Sequence, residues 1–171
     1  QPDIVVYGKA LGNGYAISAI VGKEEIMSCA QDTFISSTFW TERVGFVAAL
    51  STIEKLTTNK VWEHLIDIGT HIGDKWRDIA KKHNLKIEIT DFKPLITFKL
   101  QYGELNAALY TLFIQEMLKR KYIASNSVYL SYSHKDVDIQ KYLNTVDEVF
   151  KYIKKCIDTN SVHTALKTKI K

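Results

Sequence analysis

Cysteine is scarce in this chain: Cys29 and Cys156 are the only two in 171 residues, and they stand alone. They form neither a Cys-x-x-Cys pair nor a Cys/His ligand pattern, so a disulfide framework and a thiolate metal centre are both set aside, and no metal site is expected. No apolar run approaches the ~20 residues needed to cross a bilayer, and no signal peptide is visible. The expectation is therefore a soluble, cytoplasmic chain with no membrane partner. Charge of one sign is missing as a block. The 23 basic and 19 acidic residues are spread along the chain, the formal charge is +4, and there is no concentrated basic arm, so nucleic acid is not indicated as a partner. The one strongly basic stretch, the tail ending Lys167-Thr168-Lys169-Ile170-Lys171, reads as a frayed terminus. Internal repeats and low-complexity linkers are absent as well.

What is present is a lysine in an unusual place. In Pro2-Asp3-Ile4-Val5-Val6-Tyr7-Gly8-Lys9-Ala10-Leu11-Gly12-Asn13-Gly14-Tyr15, a β-branched and aromatic stretch ends at Lys9 and hands over to a glycine-rich loop. Gly8, Gly12 and Gly14 permit turns and close backbone approach that other residues resist. A lysine held there, at the edge of a core, is desolvated, which favours the neutral amine and attack on a carbonyl to form a Schiff base. The plainer reading of the same spacing is a surface lysine after an edge strand.

The wider segment Asp3 to Gly22, DIVVYGKALGNGYAISAIVG, closely resembles the lysine segment of class III (fold type I) pyridoxal-phosphate aminotransferases, the group that includes glutamate-1-semialdehyde aminomutase. The resemblance implies that Lys9 is the catalytic lysine that holds pyridoxal 5'-phosphate as a Schiff base. Ala16 stands where the family usually has proline, so that turn lacks a fixed φ.

Downstream, Thr33-Phe34-Ile35-Ser36-Ser37-Thr38-Phe39-Trp40-Thr41-Glu42-Arg43-Val44-Gly45-Phe46-Val47-Ala48-Ala49-Leu50 looks like the family's Thr-x-x-x-Asn-Pro segment and the alanine-rich helix after it. That alignment gives Thr38 the cofactor phosphate, held across a dimer interface; a hydroxyl and free N–H groups ahead of a helix suit an anion. Glu42-Arg43 replaces the usual Asn-Pro, which marks a variant branch. Arg43 either clamps a substrate carboxylate or phosphate, or pairs with Glu42 or Glu54 on the helix surface.

Periodicity supplies the organisation. Residues 4 to 7 and 17 to 21 read as strands, Lys23 to Cys29 as a short helix and Arg43 to Leu56 as a small-residue helix. From about Asn59 to Lys82, Val61, Leu65, Ile68, Ile72, Trp76 and Ile79 recur at helical spacing. After Asn84 the period changes to two: residues 86 to 90, 95 to 100 and 128 to 132 read as strands. Between and after them, one helix carries Leu105, Leu109, Leu112, Phe113 and Met117, and another Ile139, Leu143, Val146, Phe150, Ile153 and Ile157. Ser133 and Asp136 have capping-box spacing, and the acid suits the helix dipole. Tyr132-Ser133-His134-Lys135-Asp136-Val137-Asp138-Ile139 resembles the family's Ser-x-x-His-Thr-x-Glu-Asp-Ile signature; His134 is either a base or a structural residue where the helix begins.

The fold class expected is α/β: residues 1–58 as the trailing part of a fold type I large domain, 59–83 as an interdomain helix, 84–158 as an α+β small domain and 159–171 as a tail. The family's subunits are more than twice as long, and Gln1 is not methionine, so the chain reads as a C-terminal fragment. The acidic partner of the pyridine nitrogen, the ring-stacking aromatic and the glycine-rich phosphate cup would lie before it. The implied function is amino-group transfer between small-molecule donors and acceptors, or an aminomutase reaction, by a homodimeric full-length enzyme. The alternative is a non-catalytic dimerisation domain derived from such an enzyme.

Overall fold

The structure, a computed structural model, describes residues 2–168, so the Lys169-Ile170-Lys171 end of the basic tail lies outside it. The chain divides into two compact units, residues 1–61 and 62–171.

In the first unit, β1 (Ile4–Tyr7) and β2 (Ala19–Gly22) form an antiparallel pair in the register Ile4↔Gly22 to Tyr7↔Ala19. The second strand was expected over 17 to 21. It begins later because Tyr7, the last residue of β1, pairs with Ala19, which leaves Ile17 and Ser18 to the loop. Helix α1 (Glu24–Met27) is shorter than the expected Lys23 to Cys29 and passes directly into a 3₁₀ segment, Ser28–Asp32. Helix α2 (Arg43–Thr58) runs as its small residues suggest, with Gly45 and Ala49 buried.

The second unit holds the hydrophobic core. It contains α3 (Val61–Lys82, shared at its first residue with the first unit), β3 (Ile87–Ile89), β4 (Leu95–Leu100), α4 (Asn106–Lys119), β5 (Ser127–Tyr129), α5 (Asp136–Asp158) and α6 (Val162–Ala165). The three strands form an antiparallel sheet in the order β3-β4-β5. Central β4 buries Ile96, Phe98 and Leu100 at a spacing of two while Lys99 stays exposed, as a pleated strand with one covered face must. Helix α3 buries Ile68, Ile72, Trp76 and Ala80, one residue per turn. It approaches the turn before β4 at Gly69, where a Cβ would sit 2.1 Å from the Lys93 carbonyl oxygen, so no other residue fits without moving the backbone.

Phe98 is the hub of the core. Trp76, Phe113 and Phe150 meet its ring edge-on at centroid distances of 5.0, 5.1 and 5.4 Å, and all four side chains are fully buried. Such T-shaped pairs add to simple area burial because ring edges carry positive and faces negative charge. The second unit is thus the expected α+β layer, and the whole is a mixed α/β architecture.

Three expectations are corrected. The third strand ends at Tyr129, not Tyr132, because the Leu130 N–H turns to the Pro94 carbonyl and the Ser131 N–H goes to His134 Nδ1, 3.0 Å away. The capping box is absent: α5 starts at Asp136 with Lys135 at its cap position, and Ser133 bonds Ser131 instead. Asp136 and Asp138 still occupy the first turn, where the helix dipole favours acids. The tail is also less frayed than expected, since α6 buries Val162 and Gln115 bonds both the Ala165 carbonyl and the Lys167 N–H.

Asp147 on α5 ties down the end of α3, accepting from Lys82 Nζ at 2.6 Å and from His83 Nε2 at 2.5 Å. Partial burial pushes its carboxyl up, but the hydrogen bonds and charges of Lys82 and His83 outweigh that and hold it below the ordinary carboxylate range. A carboxyl held low contributes stability above its unfolded pKa and loses it as pH falls through the folded value. Asp147→Asn is expected to cost about 1 kcal/mol at neutral pH, since both partners keep solvent contact. Denaturant midpoints of the two proteins should draw together as the pH falls below the ordinary carboxylate range and through the folded-state pKa of Asp147; a difference that stays constant through the whole acid titration would show that the charge is irrelevant.

Candidate active site

Lys9 follows β1 directly and opens the short 3₁₀ turn Lys9–Leu11. Its φ is +47°, the left-handed region that a lysine enters only at a cost of about 1 kcal/mol or more, so the surrounding turn must enforce it. The enforcement is visible in the backbone. The Leu11 N–H bonds the Gly8 carbonyl at 3.0 Å, the Asn13 N–H bonds the Lys9 carbonyl at 3.2 Å and the Tyr15 N–H bonds the Gly12 carbonyl at 3.1 Å. Gly12 is required for this winding, since a Cβ there would lie 2.1 Å from the Tyr15 carbonyl oxygen, and Gly14 takes φ +109°. The result is a rigid coil that fixes the lysine backbone at the end of a strand.

This turn packs on α2. Gly45 makes the approach possible: a Cβ at that position would meet the Ala16 carbonyl oxygen at 2.8 Å and Ile17 Cβ at 3.1 Å. Gly45 was not singled out in the sequence as a contact to the lysine loop, although a glycine inside an alanine-rich helical run was the available signal.

The Lys9 side chain is exposed, which corrects the expectation of a lysine held at the edge of a core. The reason lies in the sheet: among the described residues β1 and β2 pair only with each other, and Val6 and Ile20 remain 68% and 58% exposed. The Lys9 ammonium has no carboxylate partner among the described residues.

Thr38 lies in a turn four residues before the cap of α2, exposed and without a hydrogen-bond partner for its hydroxyl among the described residues. That turn is braced by the Trp40 N–H to the Ser37 carbonyl at 3.2 Å and the Glu42 N–H to the Phe39 carbonyl at 3.0 Å. No hydrogen bond joins Thr38 to Lys9. Arg43, the first residue of α2, makes no ion pair among the described residues, contrary to the pairing with Glu42 or Glu54. Glu42 is instead the helix cap, its Oε1 accepting from the Val44 N–H at 3.1 Å. Arg43 lines an open pocket of about 320 Å³ with Tyr15 from the lysine loop and Val44, Val47 and Ala48 from α2. His134 belongs to the second unit, where its Nδ1 closes the turn ahead of α5. Among the described residues there is no metal-ligating cluster of His, Cys, Asp or Glu, and no helix is long and apolar enough to cross a membrane.

The segment that carries the strand, the strained lysine, the glycine coil and the small-residue helix lies inside residues 1–95, which the family model described as Aminotransferase class-III matches. The chain belongs to the class-III aminotransferase family. That match takes in both the Lys9 loop and the Thr38 segment. A 3-aminobutyryl-CoA aminotransferase of Cloacimonas acidaminovorans is 31% identical over 161 residues, covering 91% of this chain and 39% of the relative. A glutamate-1-semialdehyde 2,1-aminomutase of Alkaliphilus oremlandii is 25% identical over 167 residues, covering 90% of this chain and 39% of the relative. The chain thus spans about two fifths of the length of these curated relatives. Among solved structures, the FumI protein of Sphingopyxis sp. MTA144 in its PLP internal aldimine form superposes with a TM-score of 0.83 at 22% identity, covering 93% of this chain and 39% of that one. This likeness speaks for the fold, which is that of the fold type I members of the class-III family.

Proposed function

We propose that the protein carrying this chain is a cytoplasmic, pyridoxal-phosphate-dependent enzyme that moves an amino group to or from a small-molecule substrate. In this reading Lys9 holds the aldehyde end of the cofactor and Thr38 its phosphate. The observation that carries the proposal is the class-III match over residues 1–95, with Lys9 fixed in a left-handed turn at the end of β1.

The donor types fit the group. A primary amine with no carboxylate partner among the described residues is available to an aldehyde in its unprotonated form, and a hydroxyl without a partner among them, on a braced turn ahead of α2, is available to donate to a phosphate. Pyridoxal phosphate, when bound, supplies an electron-withdrawing ring that stabilises negative charge on the substrate carbon next to nitrogen. Lys9 contributes the amine that holds the cofactor and, once freed, a base at Nζ able to take and return a proton. The coil from Gly8 to Tyr15 keeps its backbone from drifting. Transfer between two molecules and migration within one make the same demands on these residues. Two free thiols, Cys29 and Cys156, fit a reducing compartment.

The first unit also supports a homodimeric assembly. Val44, Phe46, Val47, Leu50 and Ile53 on α2, with Phe34 and Trp40 ahead of it, are exposed, and an apolar surface of this kind marks an interface. A non-catalytic dimerisation domain draws on the same surface. An absorbance titration of the intact protein with pyridoxal phosphate, followed by a screen of amino donors, separates the two. Stoichiometric binding and donor-dependent spectral change support the enzyme; saturable dimerisation with no cofactor spectrum supports the rival.

Thr38→Val should weaken cofactor retention by about 1 to 3 kcal/mol, the scale of a hydrogen bond to a charged group, with a smaller effect on turnover at saturating cofactor. Equal retention by mutant and wild type in equilibrium dialysis would remove Thr38 from the phosphate site.

A further inference from the structure

We infer that the second unit has a ligand site of its own, for a small organic ammonium ion with an apolar body. It is a cavity of about 520 Å³ between α3, the first turns of α5 and the segment from Tyr122 to Leu130. That volume is within the range of small-molecule sites. Ile72 and Ile139, both buried in the core, contribute to its apolar lining, and the rings of Tyr122 and Tyr142, 6.0 Å apart and inclined at 63°, are aromatic walls.

One carboxylate among the polar lining residues gives the cavity its sign. Asp138, solvent-exposed in the first turn of α5, lines the cavity mouth and has no cationic partner among the described residues, and no lysine or arginine among the described residues lines it. An anionic ligand would meet that carboxylate with no lysine or arginine side chain among the described lining residues to balance it, and the helix N-terminus offsets only part of its charge. An ammonium gains the carboxylate as counter-charge and tyrosine faces as a second source of attraction. His134 refines the choice: its Nδ1 accepts the Ser131 N–H at 3.0 Å, so a neutral ring carries its proton on Nε2. His134 also lines the cavity, and that N–H suits an oxygen on the ligand. The inference does not depend on pyridoxal phosphate, because no residue of the Lys9 loop or the Thr38 turn belongs to the cavity.

The test uses the 171-residue chain, with 2-phenylethylammonium as probe and 2-phenylethanol as its uncharged counterpart, both followed by calorimetry. The ammonium should bind more tightly than the alcohol. Asp138→Asn should weaken the ammonium about tenfold or more and leave the alcohol unchanged. Ala124→Phe, which fills the cavity, should abolish both, and Lys9→Ala should alter neither. If Ala124→Phe fails to fold, the histidine ring resonances decide the point, since the His134 signal should move on titration with the ammonium and the His163 signal should not. No binding at millimolar ammonium, equal binding of ammonium and alcohol, or loss of binding in Lys9→Ala would each overturn the site. The last outcome would place the probe at the lysine loop.

Discussion

Lys9→Ala is expected to eliminate turnover by the intact protein while leaving its stability within about 0.5 kcal/mol of wild type, the range of exposed substitutions. The side chain is exposed and has no carboxylate partner, so the fold loses little packing and no ion pair. What is lost is an amine that both attaches the cofactor and carries a proton. The second role alone is worth roughly 10²- to 10⁴-fold in rate. Lys9→Arg is the informative companion, because guanidinium keeps the charge but cannot serve as a nucleophilic amine. Both variants should be equally inactive, as judged by donor-dependent spectral change. Activity in Lys9→Arg would reduce Lys9 to an electrostatic role.

Phe98→Ala is expected to have the largest effect on folding. Its ring is fully buried, receives Trp76, Phe113 and Phe150 edge-on and lies against a tilted Tyr110, so truncation removes four aromatic pairs and opens a hole that β4 and the three helices α3, α4 and α5 cannot close together. Large-to-small changes of this kind cost about 3 to 5 kcal/mol, a large share of the ~5 to 15 kcal/mol that holds a domain folded. Tyr129→Ala is the control, since that ring on the edge strand β5 is 76% exposed and its loss should be nearly neutral. Chemical denaturation followed by tryptophan fluorescence checks both. A shift for Phe98→Ala no larger than for Tyr129→Ala would mean that the aromatic cluster does not stabilise the second unit.

The parts of this architecture that were legible from the residues are those fixed by period and by long apolar faces. β4 was expected over its observed span, and α3 and α5 could be recognised because each commits one buried residue per turn to a shared core. Where local hydrogen bonding decided the outcome, periodicity misled. The capping box failed because Ser133 found Ser131 and His134 took the Ser131 N–H, so the turn formed without an Ncap side chain. Arg43 lost its expected partner for a similar reason: Glu42 serves the backbone at the start of α2, a use that ion-pair spacing cannot reveal. Val162 was hidden in a polar tail, and only the returning chain shows it to be a core residue.

The candidate site was legible in its backbone and not in its solvation. A strand followed by Gly-Lys and two further glycines implied a tight turn, and the turn is there. Burial of Lys9 was a different matter, since it depends on strands and helices far away in sequence, and among the described residues β1 pairs with β2 alone.

The most direct measurement is reductive trapping. The intact protein would be incubated with pyridoxal phosphate, treated with borohydride and digested, and the modified lysine located by mass spectrometry. A stoichiometric adduct confined to the peptide containing Lys9, and absent from Lys9→Ala, is the expected result. A specific adduct on another lysine, or label scattered among surface lysines in proportion to their exposure, would contradict the assignment of Lys9 and with it the proposed chemistry.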